Sequence, residues 1–459
     1  MTAQEAGTSI VDPPAPSPAA EVESAPTGRR GFGLHRPGRQ RSARYKWVIL
    51  GVGFAAQAGF AIAFQGIPVT GAVMQDDYRL TTGQLGLILS VMSFGIAISD
   101  VVWGILTDRH GERRILVTGL AALTVAFALC AVFLVPHAGG RPSVALLGLG
   151  LLIAGILGGS VNGASGRAIM AWFKKNERGF AISVRVTAVP VGGAIGAALL
   201  PMLALHAGFG VLFAVLTGVS LLITLSTYLW LDEPPLDSGL AVPKGSRVEK
   251  KAARAASTVR NPLKVLEVWR IAVASGLLNF PQFIVLTFGS VFLHDVKHVG
   301  LGVVALVVSL VQIGGAVGRV SGGRWTDRRG GRYRRTLVKA QGSIVVLGFL
   351  LVGLLEHGPA LPIVVVLTVT GMIACGWHGV AYAEIAEVAG AERSGTALGL
   401  ENTMVFGGAF VTPLVIPLVL EATSSSWTTV MLLVGALPAL LAVLLIPREP
   451  KEDRGALRA

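Results

Sequence analysis

Apolar residues run through this chain in blocks of about 20, long enough at about 1.5 Å per residue to cross a hydrocarbon layer about 30 Å thick. Twelve such blocks can be drawn, near 47–73, 84–106, 114–135, 144–170, 179–204, 209–231, 269–293, 301–323, 337–355, 361–383, 395–419 and 428–447. None alternates polar and apolar positions as a membrane-barrel strand would. Backbone groups in lipid must find hydrogen-bond partners within their own segment, so each block is expected to be a helix. The pattern predicts an all-α membrane protein with twelve transmembrane helices.

Composition agrees with this reading and charge refines it. Hydrophobic residues make up 52% of the chain, and the mean hydropathy is +0.66. A net charge of +13 would suit a nucleic-acid partner, but its distribution does not. Of the 39 Lys and Arg, 33 fall in the tails and in alternate loops. Only Arg79, Arg141 and Lys297 lie in the opposite loops, and Arg167, Arg185 and Arg319 lie within apolar blocks. Basic loops stay on the cytoplasmic side, so both termini are expected there, in a multi-pass protein of the cell membrane. Nucleic acid is not expected as a partner. Cys130 and Cys375 sit inside predicted helices and are too few for a disulfide framework or a zinc site. No metal or other cofactor is expected.

The polar interruptions divide the chain. Residues 1–45 are rich in Pro, Ala, Ser and Glu and then in Arg and Gly, and are expected to be a disordered cytoplasmic tail without a signal peptide. Residues 46–231 would form one six-helix bundle, 232–268 a Pro-rich basic linker, 269–447 a second bundle, and 448–459 a short tail. The bundles repeat one another. Gly104-Ile-Leu-Thr-Asp108-Arg109-His-Gly-Glu-Arg-Arg meets Gly323-Arg-Trp-Thr-Asp327-Arg328-Arg-Gly-Gly-Arg at a shift of 219. At a shift of 216, Asn162-Gly163 meets His378-Gly379, Gly179 meets Gly395, Gly192 meets Gly408 and Pro201 meets Pro417.

The paired Asp-Arg loops resemble the loop signature that follows helices 2 and 8 in the major facilitator superfamily. The resemblance covers nearly all of 46–447. It implies a major facilitator fold of two pseudo-symmetric halves, with the substrate site between them near the midplane. It also implies that Asp108, Arg109, Asp327 and Arg328 form a conformational gate, the aspartates capping neighbouring helices.

The repeat places opposite charges at matching depths: Arg185 meets Glu401, and Asp100 meets Arg319. A charge at the centre of a spanning helix costs about 2.5–3.5 kcal/mol on insertion scales, so these four should face a cavity or a partner. Arg185 and Arg319, with the polar Gln57, Asn162, Gln282 and His378, are the candidate substrate contacts. Glu401 and then Asp100 are the candidate proton carriers. A substrate anion on an arginine would compete with the carboxylate for it, which is a physical route to proton coupling. The competing reading is a structural ion pair between the halves.

Two stretches are similar to anion-carrying branches of that superfamily. The turn Trp172-Phe173 with Glu177-Arg178-Gly179 resembles that of cyanate, nitrate and oxalate/formate porters and of monocarboxylate transporters. Arg319, in Arg-Val-Ser-Gly-Gly, matches the position of a substrate-binding arginine in the nitrate and monocarboxylate branches. Asp100 stands where the nitrate branch has a second arginine, so nitrate itself is not expected. The resulting expectation is a secondary transporter, not an enzyme, carrying a small organic anion such as a monocarboxylate with protons, as a monomer. The alternative is a drug or metabolite efflux pump, with Phe54, Phe60, Phe64, Phe280, Phe283 and Phe288 as aromatic walls.

Overall fold

The structure, a computed structural model, describes residues 42–136, 140–232, 261–424 and 426–449. Among these the chain is helical, with no strand. The long helices are α1 (Lys46–Val69), α2 (Thr82–His110), α3 (Glu112–Phe133), α4 (Val144–Trp172), α5 (178–207), α6 (209–230), α7 (Leu266–Val296), α8 (Leu301–Asp327), α9 (Arg334–Leu354), α10 (Ala360–Ala389), α11 (Ser394–Ala422) and α12 (Trp427–Leu445). The stretch Arg178–Trp230 is 53 residues, about 80 Å were it one straight helix. It folds back at Gly208, whose φ of 77° and ψ of 170° only glycine adopts without strain, and so supplies two spans. The twelve spans are those expected.

Local chemistry sets the ends. Thr81 caps α2: its hydroxyl accepts from Gln84 N at 3.3 Å while Gln84 Oε1 accepts from Thr81 N at 3.0 Å. Ser143 caps α4 through Leu146 N. The Asp-Arg loops turn on left-handed glycines, Gly111 (φ 88°) in one copy and Gly330 and Gly331 (φ 70° and 80°) in the other. Two boundaries differ from expectation. Ordered chain begins before Lys46, with a 3-10 turn at Ala43–Tyr45, and α7 starts at Leu266 rather than 269 because Asn261 caps a turn at Pro262–Lys264. Most of the expected tails and linker (1–41, 233–260 and 450–459) lie outside the described residues.

The apolar core forms two clusters. One runs from Ile49 to Leu231 around Phe127, Phe209 and Phe213, and the other is built on α7 to α12 around Phe292, Phe349 and Trp377. The second also takes in Leu50, Ile169, Ile182 and Val186, so the halves share packing on one side.

That shared packing includes close approaches near the Asp-Arg loops, here called the basic face. A methyl group on Gly104 would come within 2.3 Å of Gly395 O, and one on Gly323 within 2.5 Å of Gly179 O. The repeat maps these two contacts onto each other, 104 to 323 and 395 to 179. Backbone meets backbone across the halves at both places, and again where a methyl on Gly399 would come within 2.4 Å of Asp100 O, by the small-residue packing that membrane helices use in place of a hydrophobic driving force. Gly104→Val and Gly323→Val are each expected to cost about 1–3 kcal/mol of packing in the closed arrangement. A lowered Tm in detergent and faster amide exchange at 394–400 or 179–185 would register this. Unchanged values in both variants would place the halves apart.

Candidate functional site

Two polar layers cross the interface between the halves. The first lies at the basic face and is built from the two aspartates. Asp108, at the end of α2, accepts hydrogen bonds from Gly395 N (3.0 Å), Thr396 N (2.7 Å) and Thr396 Oγ1 (2.6 Å) at the start of α11. Asp327, at the end of α8, accepts from Gly179 N (3.1 Å) and Phe180 N (2.7 Å) at the start of α5. Each carboxylate from one half thus caps a helix of the other half, where unsatisfied N–H groups and the helix dipole favour an anion.

Buried arginines support both caps. Arg167 Nε lies 3.3 Å from Asp108 and also pairs with Glu112, and Arg334 Nη2 lies 3.1 Å from Asp327. Arg167 therefore belongs to the basic face rather than to the middle of the apolar layer. Arg178 and Lys175 reach Glu387 of the other half at 3.2 and 3.1 Å. Arg109 and Arg328 are exposed and not drawn into either cap. Of the four loop residues expected at the gate, Asp108 and Asp327 make the contacts across the halves.

The second layer is central. Arg185 on α5 is 2% exposed and donates from Nε to Ser165 Oγ (2.8 Å) and from Nη2 to Gln57 Oε1 (2.9 Å) and Asn162 O (2.6 Å). Gln57 Nε2 donates to Asn162 Oδ1 at 3.1 Å, and Asn162 Nδ2 to Asp100 Oδ2 at 2.9 Å. One chain of hydrogen bonds therefore links α1, α2, α4 and α5. In the other half, Arg319 on α8 is 4% exposed and donates from Nε to Cys375 O (2.6 Å). Its Nη1 crosses the interface to Val186 O on α5 (3.2 Å). Glu401 accepts from Ser275 Oγ at 2.7 Å.

The ion pairs of the competing reading are not formed. Among the described residues, neither central arginine lies within 4.0 Å of a carboxylate. Each is held by neutral oxygens instead, at about 1.5–3 kcal/mol per charge-assisted bond. The two carboxylates are buried with one oxygen unpartnered each, Asp100 Oδ1 and Glu401 Oε2. Gln282 is buried with Oε1 unpartnered. His378 is buried, stacked on Trp377 at 3.8 Å, and its Nδ1 is unpartnered.

Sequence reasoning missed the residue at the centre. Tyr382 is 4% exposed, donates its hydroxyl to Asn402 Oδ1 at 2.7 Å, and lies within electrostatic range of Arg185, Asp100, Arg319 and Glu401 together. The signal was present: Tyr382 lies one helical turn after His378, and the repeat opposes it to Gly166, which packs against Leu398 close to Arg185.

Comparison with known proteins supplies the family. The model of the Major Facilitator Superfamily matches residues 49–413. An uncharacterized MFS-type transporter of Mycobacterium tuberculosis is 32% identical over 411 residues, covering 88% of this chain and 85% of that protein. A protein of Cupriavidus necator, named probable sulfoacetate transporter, is 26% identical over 417 residues, covering 85% and 93%. Among solved structures, a proton:xylose symporter superposes with a TM-score of 0.70 at 16% identity, covering 90% of this chain and 98% of that one.

Removing a cap should be costly, because it frees helix N–H groups and leaves a buried arginine short of its partner. Asp327→Ala is expected to lose about 3–5 kcal/mol of the closed arrangement. Amide exchange at Gly179 and Phe180 should rise accordingly, and unaltered protection there would show that the carboxylate does not hold α5.

Proposed function

The chain belongs to the major facilitator superfamily, and on that premise we propose that it carries a small organic anion across the membrane by alternating access, coupled to protons. The observation that supports this most is the pair of central arginines. They come from opposite halves, are almost wholly buried, and hold no carboxylate. Such guanidiniums can exchange weak neutral partners for a carboxylate or sulfonate, and planar oxyanions suit their forked geometry. Relatives named for sulfoacetate and hexuronate transport are in keeping with an anionic substrate.

In this reading Arg185 and Arg319 bind the anion, one from each bundle. Gln57, Asn162, Gln282, His378 and Tyr382 shape the site around it. Glu401 carries the proton, with Asp100 as a second carrier, since a proton on an unpartnered buried oxygen removes an uncompensated charge. Asp108 and Asp327 form the gate. Residues 46–231 and 269–447 are the moving units, joined by the 232–268 linker. The basic face is cytoplasmic, with both termini on that side of the cell membrane, and the protein works as a monomer.

In proteoliposomes, anion counterflow with labelled monocarboxylates and sulfonates is expected to be saturable. Arg319→Ala removes one or more charge-assisted bonds and should weaken it roughly 10- to 150-fold, the equivalent of about 1.5–3 kcal/mol. Undiminished transport in that variant would refute the anion site. Glu401→Gln should keep counterflow but lose its acceleration by an inward proton gradient. Equal acceleration in variant and parent would remove Glu401 from the coupling.

A further inference from the structure

A cleft of about 630 Å³ opens at the basic face beside the Asp327 cap. Its walls come from both halves, with Trp47, Glu177 and Phe180 on one side and Arg324, Asp327 and Arg328 on the other. The charges do not balance. Glu177 is paired with Lys46 at 2.6 Å, and Asp327 with Arg334 and two backbone N–H groups. Arg324 and Arg328 are exposed and, among the described residues, have no acidic partner; the Arg324 guanidinium lies over the Phe180 ring at 5.9 Å. Trp47 is 50% exposed and packs edge-on against Phe173 and Phe180, at 5.5 and 6.3 Å between ring centroids.

We propose that this cleft binds the phosphate headgroup of an anionic phospholipid, and that occupancy holds the basic face closed. Two uncompensated guanidiniums suit a phosphate. The flat apolar wall of Trp47 and Phe180 suits the glycerol and upper acyl chain. The cleft also lies at the ends of α1, α5 and α8, at the depth where tryptophan and arginine meet headgroups. Because each half supplies one wall, the site is complete only while the halves touch. A ligand of one conformation shifts the population toward it.

The test uses the full chain in nanodiscs of phosphatidylcholine, with and without phosphatidylglycerol. Amide exchange is read at Gly179 and Phe180, whose N–H groups bond to Asp327. Phosphatidylglycerol should slow this exchange several-fold in the parent protein. The double variant Arg324→Ala/Arg328→Ala, whose lost side chains bear none of the cap bonds, should lose the effect. Native mass spectrometry should find it retaining less phosphatidylglycerol. Trp47→Ala, which alters the opposite wall, should weaken the effect independently and covers the case of a misfolded double variant. No lipid effect in the parent, or an equal effect in both variants, would overturn the site in favour of bulk surface charge. Equal protection by inorganic phosphate in phosphatidylcholine alone would overturn the lipid as its occupant.

Discussion

A charge in hydrocarbon must find partners within the protein, and this structure is arranged around that requirement. Asp100, Arg185, Arg319 and Glu401 are each at most 4% exposed. They are buried among the helices, and Arg319 reaches across the seam between the two bundles. Satisfying them brings α1, α2, α4 and α5 together in one half, and α7, α8, α10 and α11 in the other. Arg319 then reaches across to a carbonyl of α5. Apolar burial gives each bundle its core, but membrane helices gain little from excluding one another from lipid. Polar contacts and close glycine approaches therefore decide how the halves meet.

The inverted charges of the two halves have a local cause. Both α4 and α10 are interrupted, at Gly159 and at Cys375–Trp377, positions that the repeat superposes. Asp100 lies against Gly159, where a methyl would come within 2.5 Å of Oδ1, beside the start of the second half of α4. Arg319 bonds Cys375 O at the end of the first half of α10. An acid at a helix start and a base at a helix end both follow the helix dipole. One ancestral geometry thus accepts either sign, depending on which broken end it faces. Discontinuous helices near the midplane are also where transporters of this architecture place ligand sites.

The twelve spans, the basic face and the repeat were legible because each rests on one-dimensional information: block length, charge bias and self-similarity. The depth and inward direction of Arg185 and Glu401 followed from the cost of burying charge. What could not be read was pairing. The shift opposed Arg185 to Glu401 and Asp100 to Arg319, which left a cavity and an ion pair both open. The guanidiniums instead took nearer neutral oxygens, Gln57, Ser165 and backbone carbonyls, because helix contacts fix which atoms lie within 3 Å. Arg167 was read only as lying within an apolar block, and it reaches Asp108 and Glu112 at the basic face, since a long side chain near a helix end extends toward the polar boundary. Tyr382 was overlooked because a tyrosine in an apolar helix carries no charge anomaly to mark it.

In the proposed cycle the two halves separate as bodies and are held shut at the basic face by Asp108 and Asp327. The most direct measurement is the distance between spin labels at Lys174→Cys and Arg329→Cys, both exposed and on opposite halves. Read by double electron–electron resonance in lipid bilayers, it should show a short population and a longer one, with the longer growing when Asp327 is replaced by Asn. A single distance that does not respond to that substitution would contradict the account.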